Sequence, residues 1–294
     1  MRLISCRTDS GETLGVVAGD RWLPADKLVS GGATTMVGLL AGGMASMDTL
    51  RDAATPERIL ADGIPTFGLR VLAPVPRPGK VVAIGRNYRA HVEEQGVDPP
   101  EAPLIFAKWP SSVVGPDADI EWDPALTGQV DYEAELAVVI GRRARRVAEA
   151  DALEYVAGYT CLNDVSARDL QFGDGQWVRG KSLDTFCPMG PALVTSDEIV
   201  DPQALSISCT VNGSRVQDAN TSQMYFTVAQ IISHCSQAFT LEPGDVIATG
   251  TPSGVGVFRD PPTFLTAGDV VVVEIERIGR IENACAFVTV GIGA

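Results

Sequence analysis

Histidine is nearly absent. The 294-residue chain holds two, His91 and His234, which excludes metal sites built from histidine clusters and leaves few imidazoles that could act as a base. Cationic residues are scarce too: 23 Lys plus Arg stand against 37 Asp plus Glu, a formal net charge of −14. A nucleic-acid partner is disfavoured, because phosphate binding calls for a basic face. The one basic cluster, Arg142, Arg143, Arg145 and Arg146, reads as a solvated turn behind a buried strand. Six cysteines are scattered without a CxxC pair, most inside apolar runs, which suits buried free thiols in a reducing cytosol. No apolar run approaches transmembrane length, and the opening MRLISCRTDSGE lacks the apolar core of a signal peptide. The expectation is a soluble cytoplasmic protein with no membrane partner. Solenoid repeats and low-complexity segments are missing as well.

Chemistry concentrates between Asp131 and Asp184. Alternate residues of a strand share a face, so Glu133 and Glu135 of DYEAELAVVIG point into one space, with Asp131 before them. The strand continues Leu136, Ala137, Val138, Val139, Ile140, apolar on both faces, as an interior strand does. Carboxylates at the head of such a strand need a compensating cation or a shared proton. A second mostly apolar run, Tyr155 to Leu162, ends in Asn163 and Asp164 and offers a third carboxylate. Three hard oxygen ligands without histidine suit Mg²⁺ or Mn²⁺. A solvated acidic strand face is the bland alternative; the apolar continuation and the Arg, Gln and Lys that follow Asp164 weigh against it.

Residues 1 to about 72 alternate short strands with Gly-Asp turns and then carry a helical piece from Met36 toward Ala54. They read as a small N-terminal domain that caps the rest or helps it dimerise. Three alternating prolines between Ala73 and Gly79 mark the boundary, and residues 73–294 form the larger domain. Lys80 to Ile84 is expected as a strand, after which Asn87 is expected to cap a helix running to Gly96. His91 and Glu94 share one face of that helix, whereas Glu93 does not. A surface ion pair is the plain reading; a base with an orienting carboxylate is the functional one. His234 belongs to a helical pattern over Val228–Phe239 and suggests packing or surface. Leu104 to Trp109 is a further strand, carrying Lys108. Asn212-Gly213 predicts a hairpin turn, followed by a helix around Ile231 and strands over Val246–Thr249, Val270–Ile275 and Ala284–Val290. Gly250 to Gly256 lacks the GK[ST] ending of a phosphate loop. Strands outnumber helices without a long βαβ alternation, so the expected class is α+β, dominated by mixed sheets.

Four motifs in order, DYEAELAVVIG, NDVSARDLQ, GKSLDTFCPMGP and GDVIATGTPSGVG, resemble the fumarylacetoacetate hydrolase superfamily over about Lys80 to the C-terminus. The resemblance implies a β-sandwich roll with a metal at one open end. It implies Glu133, Glu135 and Asp164 as ligands of Mg²⁺ or Mn²⁺, Arg168 and Gln171 as substrate contacts, and Lys181 as a catalytic lysine in a loop-like stretch. NYRAHVEE matches the segment whose His and Glu form the catalytic dyad, here His91 and Glu94. Glu274 is an alternative partner for the histidine, ranked behind Glu94. Thr251 and neighbouring amides are implied to hold a substrate carboxylate, as an anion nest would. Gly85, Arg86 and Asn87 stand where the animal enzyme has a further aspartate ligand, a position that water would fill.

The implied activity is metal-dependent hydrolysis of the C3–C4 bond of a 2,4-dioxo acid, an acylpyruvate or a sugar-derived diketo acid, by a homodimer. The same site could instead decarboxylate oxaloacetate, or isomerise or decarboxylate a 2-oxo-alkenoate. A catalytically silent metal-binding homologue is the reading from another class, opposed by the presence of His91, Glu94 and Lys181 together.

Overall fold

A computed structural model describes residues 1–9 and 11–288 of the chain. It is a mixed α+β structure rich in sheet, without a closed barrel among the described residues. At its centre lies the strand Ala134–Ile140, all seven residues of which are buried. Its side chains alternate between two cores. Leu136, Val138 and Ile140 join a cluster with Ile207, Val273 and Ile231, while Ala137 and Val139 join one with Leu3, Leu14 and Leu40. Both faces are therefore apolar, as the uninterrupted run requires.

Among the described residues the main sheet has twelve strands. Ala134–Ile140 pairs antiparallel with Val156–Asn163 on one side and with Val246–Ala248 on the other. Val81–Gly85 runs parallel to Val246–Ala248 and carries Leu104–Lys108 at the edge. In the other direction Val156–Asn163 pairs with Cys187–Thr195, to which Arg2–Thr8 adds. The N-terminal segment thus joins the same sheet through Arg2 opposite Val194 and Leu3 opposite Leu193. Its helical piece is two helices, Met36–Ala41 and Gly43–Ala53, broken at Gly42. Leu39, Leu40, Met47 and Leu50 from these helices cover one face of the sheet. The opposite face is covered by a five-stranded sheet and by Val228–Ala238. In that smaller sheet Ser206–Val211 turns into Ser214–Asn220 through Asn212 and Gly213, both at positive φ, as a two-residue hairpin demands. The closing strand is Gly279–Phe287; residues 289 and 290 of the expected last strand lie outside the described residues.

Two expectations hold at the level of burial. All six cysteines are free and buried. The four clustered arginines are exposed, and so is His234. Among the described residues no helix is long and apolar enough to cross a membrane.

One close approach sets the spacing of the central strands. A Cβ on Gly158 would lie 2.2 Å from the Val194 carbonyl oxygen. Overpacking of this kind costs about 1–3 kcal/mol, and each kcal/mol lowers Tm by roughly 2–4 °C in a chain of this size. Gly158→Ala should accordingly lower Tm, whereas Gly173→Ala, on an exposed helix position with no atom within 4 Å of the added Cβ, should leave it unchanged or raise it. Equal melting curves for the two variants would refute this picture of strand packing.

Candidate functional site

The main-chain register brings three carboxylates to one place. Ala134 sits opposite Asn163, the Asp164 amide donates to the Glu133 carbonyl at 2.9 Å, and the Asn163 side-chain oxygen accepts from the Glu133 amide at 2.9 Å. Asp164 is thereby delivered beside Glu133, and strand alternation puts Glu135 on the same side. One oxygen from each of Glu133, Glu135 and Asp164 lies within 4.8 Å of the others, and all three residues are buried.

Cations surround this cluster. The Lys181 ammonium donates to Glu133 Oε2 at 2.7 Å and to Asp164 Oδ2 at 2.9 Å. Lys108 Nζ donates to Asp164 Oδ1 at 2.6 Å, to the Val165 carbonyl and to the Lys181 carbonyl. Arg168 reaches Glu133 Oε1 through Nη1 at 2.7 Å and Asp131 Oδ2 through Nε at 2.9 Å, and Nη1 also donates to Gln171 Oε1 at 3.0 Å. Asp131 turns away from the cluster of three and accepts from the amides of Gly256 and Val257.

This arrangement divides the carboxylates electrostatically. Burial would raise Glu133, but Lys181 and Arg168 outweigh it and hold its pKa down at about 2. Glu135 has one amide donor, from Gly250 at 2.8 Å, and burial together with the charges of Asp164 and Glu133 pushes it well above the usual carboxylate range. Lys181, although burial would lower it, is raised by Asp164 and Glu133. Three buried hard oxygens that repel one another fit a divalent cation. Glu133, Glu135 and Asp164 are the residues that could hold it.

Lys181 does not lie in a loop as its neighbours suggest. It ends the one-turn helix Val178–Lys181, which packs against Arg168–Asp174 so closely that a Cβ on Gly180 would stand 2.6 Å from the Gln171 amide nitrogen. Its buried ammonium is paired with two carboxylates, so it also bears on the fold of the metal-free protein. The helix Arg89–Gln95 carries His91 and Glu94. His91 Nδ1 lies 2.6 Å from Glu94 Oε1, and Glu94 Oε2 accepts from the Gly254 amide at 2.9 Å. Glu274 is exposed on the five-stranded sheet, so Glu94 and not Glu274 partners the imidazole. Asn87 does not cap this helix: Tyr88 is the cap residue and makes no side-chain cap bond. Asn87 instead donates to the carbonyls of Thr249 and Phe226 and accepts from the Phe226 amide, tying the helix start to the 249–256 loop.

His91, Glu133, Glu135, Arg168, Gln171, Lys181 and Thr251 line one pocket of about 110 Å³, with Arg86, Gln95 and Trp177 at its wall. That is far below the roughly 300–1,000 Å³ of drug-sized sites and suits a small acid. Thr251 accepts from Gln217 Nε2 at 2.8 Å; the amides of Gly250, Gly254 and Gly256 already serve the chain's own Glu135, Glu94 and Asp131. A larger hollow of about 200 Å³ among the N-terminal helices is lined by no titratable group. Sequence reasoning missed Lys108, Asp131 and Gln95 as parts of this site. A signal existed for the first: Lys108 shares a strand face with Phe106, where a charge needs a buried partner.

Residues 80–286 match the model of the fumarylacetoacetate (FAA) hydrolase C-terminal domain, and the chain belongs to this family. It is 50% identical over 252 residues to the oxaloacetate tautomerase FAHD2B, mitochondrial, of Bos taurus, covering 85% of this chain and 79% of that one. The human FAHD2A of the same description is 48% identical over 251 residues, with the same coverage. Among solved structures, an HpcE-type protein from Mycobacterium smegmatis superposes with a TM-score of 0.88 at 37% identity, covering 98% of this chain and all of that one. A maleylpyruvate hydrolase from Sphingobium superposes at 0.80 with 32% identity and the same coverage.

The electrostatics give a pH test. Glu135 holds its proton more tightly folded than unfolded, so between the ordinary carboxylate range and its raised pKa the folded state binds more protons and stability falls as pH rises. Glu133 has the opposite sign: its stabilisation is present above the ordinary carboxylate range and is lost as pH falls toward about 2. Metal-free protein should lose Tm as pH rises above the ordinary carboxylate range. Glu135→Gln should remove that loss and abolish the Tm gain on adding Mg²⁺. A flat wild-type profile, or a metal response that survives in Glu135→Gln, would contradict the assignment.

Proposed function

We propose that this protein is a divalent-metal-dependent isomerase that interconverts the keto and enol forms of a small 2-oxo acid, with oxaloacetate as the substrate. The observation that carries the reading is that His91, paired with Glu94, lines the same small pocket as Glu133 and Glu135 of the buried carboxylate cluster. The naming of relatives 48–50% identical as oxaloacetate tautomerases supports the choice of substrate. Glu133, Glu135 and Asp164 would hold Mg²⁺ or Mn²⁺, a Lewis acid that makes the C3 proton of a bound 2-oxo acid easier to remove. With Nδ1–H directed at Glu94, His91 has Nε2 as its basic nitrogen; it accepts from the Gln95 amide at 2.7 Å, a bond that must give way as Nε2 takes that proton. The C–H electron pair becomes the C2–C3 double bond and charge moves to the 2-oxygen. The Lys181 ammonium offsets this charge until a proton reaches the oxygen. Arg168, Gln171 and Thr251 border the same pocket and would receive the carboxylate.

Hydrolysis of the C3–C4 bond of a 2,4-dioxo acid is the second reading, supported by likeness to the maleylpyruvate hydrolase structure. It needs the same base to activate water. Tautomerisation is preferred because it asks only for a proton to move and because the more similar relatives carry that name. Assembly as a homodimer is part of the proposal.

Decay of the oxaloacetate enol absorbance, followed by stopped flow with Mg²⁺-loaded protein, tests it. His91→Ala should slow the reaction by on the order of 10²–10⁴, and Lys181→Met should slow it strongly as well. Cleavage of acetylpyruvate faster than enol decay would replace isomerase by hydrolase. An undiminished rate in His91→Ala would remove the imidazole from the reaction.

A further inference from the structure

We infer that Arg86 is a specificity-determining residue that receives the second carboxylate of a dicarboxylic substrate. The inference rests on the reading of the substrate as oxaloacetate and adds which residue selects for its second carboxylate. Arg86 follows the strand Val81–Gly85 and lines the pocket together with His91 and Gln95. Its backbone sits at φ 58, a left-handed conformation that non-glycine residues adopt at a cost and that clusters at functional positions. The side chain is half-buried and held from two directions. Nε donates to Gln95 Oε1 at 3.2 Å, and the guanidinium carbon lies 5.9 Å from the centre of the Trp177 ring.

Gln95 then passes the constraint on, with its Nε2 2.7 Å from His91 Nε2. Because the Gln95 oxygen is turned to Arg86, its amide nitrogen is the end presented to the imidazole. The arginine is therefore linked to the nitrogen that faces the substrate.

What sets Arg86 apart is its charge balance. The other cations of the pocket are already matched: Lys181 by Glu133 and Asp164, and Arg168 by Asp131 and Glu133. Among the described residues Arg86 forms no ion pair, and its contacts are a neutral amide and a neutral ring. A guanidinium fixed in this way presents a planar fork suited to a carboxylate. Arg86, joined to His91 through Gln95, shares the pocket with Glu133 and Glu135 of the carboxylate cluster. A dicarboxylate would place one acid group toward the cluster and the other toward Arg86, with the carbon between them near His91.

L-Malate and L-lactate form a suitable pair of probes. Both keep the carboxylate and adjacent oxygen of a 2-oxo acid, neither can be enolised, and they differ by the distal carboxylate. Binding to Mg²⁺-loaded wild type, Arg86→Gln and Arg86→Lys is measured by calorimetry, with melting curves to confirm the fold. We expect wild type to prefer malate and Arg86→Gln to weaken malate at least about tenfold while leaving lactate unchanged, since a charge-assisted carboxylate contact is worth that much. Arg86→Lys should keep part of the preference. Equal affinity of wild type for the two acids, or an equal loss of both in Arg86→Gln, overturns the assignment. Malate selectivity lost in Arg86→Gln, in a wild type that does not tautomerise oxaloacetate, upholds Arg86 and overturns the proposed function instead.

Discussion

Three carboxylates held within 4.8 Å of one another inside the protein are the constraint on which the rest of the structure depends. Like charges so close and so buried repel strongly, and the chain answers with three buried cations drawn from distant places in the sequence. Lys108 comes from an edge strand, Arg168 from the start of a helix and Lys181 from a single helical turn. The pairings are unequal. Glu133 is held strongly ionised, while Glu135 relies on one amide and rises. The unbalanced member of the cluster suits it to receive a dication and sets it apart from a finished salt-bridge network.

The cluster also dictates architecture. Its strand must be buried on both faces, so it needs a cover on each, and the N-terminal helices and the five-stranded sheet supply them. The 249–256 loop closes the site by offering amides to three acidic side chains, Glu135, Glu94 and Asp131. In consequence one loop fixes Glu135 of the carboxylate cluster and the partner of His91 at the same time. Asn87 binds that loop to the helix carrying the imidazole, which keeps the dyad and the cluster facing one another.

Much of this was legible because it is local. Glu133 and Glu135 two apart on an apolar strand, His91 and Glu94 three apart on a helix, and Asn212-Gly213 in a hairpin each follow from periodicity alone. Whatever depends on long-range pairing was not. Lys108 meets Asp164 only because Leu104–Lys108 pairs with Val81–Gly85 at the sheet edge, a partner 56 residues away. Asn87 looks like a helix cap by position, yet tertiary partners at Phe226 and Thr249 compete for its amide and win. Lys181 looks like a loop residue because a four-residue helix has no periodicity to detect. Family resemblance supplied the roles but ranked hydrolysis first, and the relatives at 48–50% identity support the isomerase alternative better.

The central claim is that the raised proton on Glu135 gives way to a divalent cation. It is tested most directly by counting protons as Mg²⁺ binds, from calorimetric titrations in two buffers of different ionisation enthalpy at neutral pH. The account predicts net release of protons as the ion binds, as expected when a protonated ligand must ionise to bind metal, and none in Glu135→Gln. Binding without proton release in the wild type, or equal affinity in the variant, would contradict it.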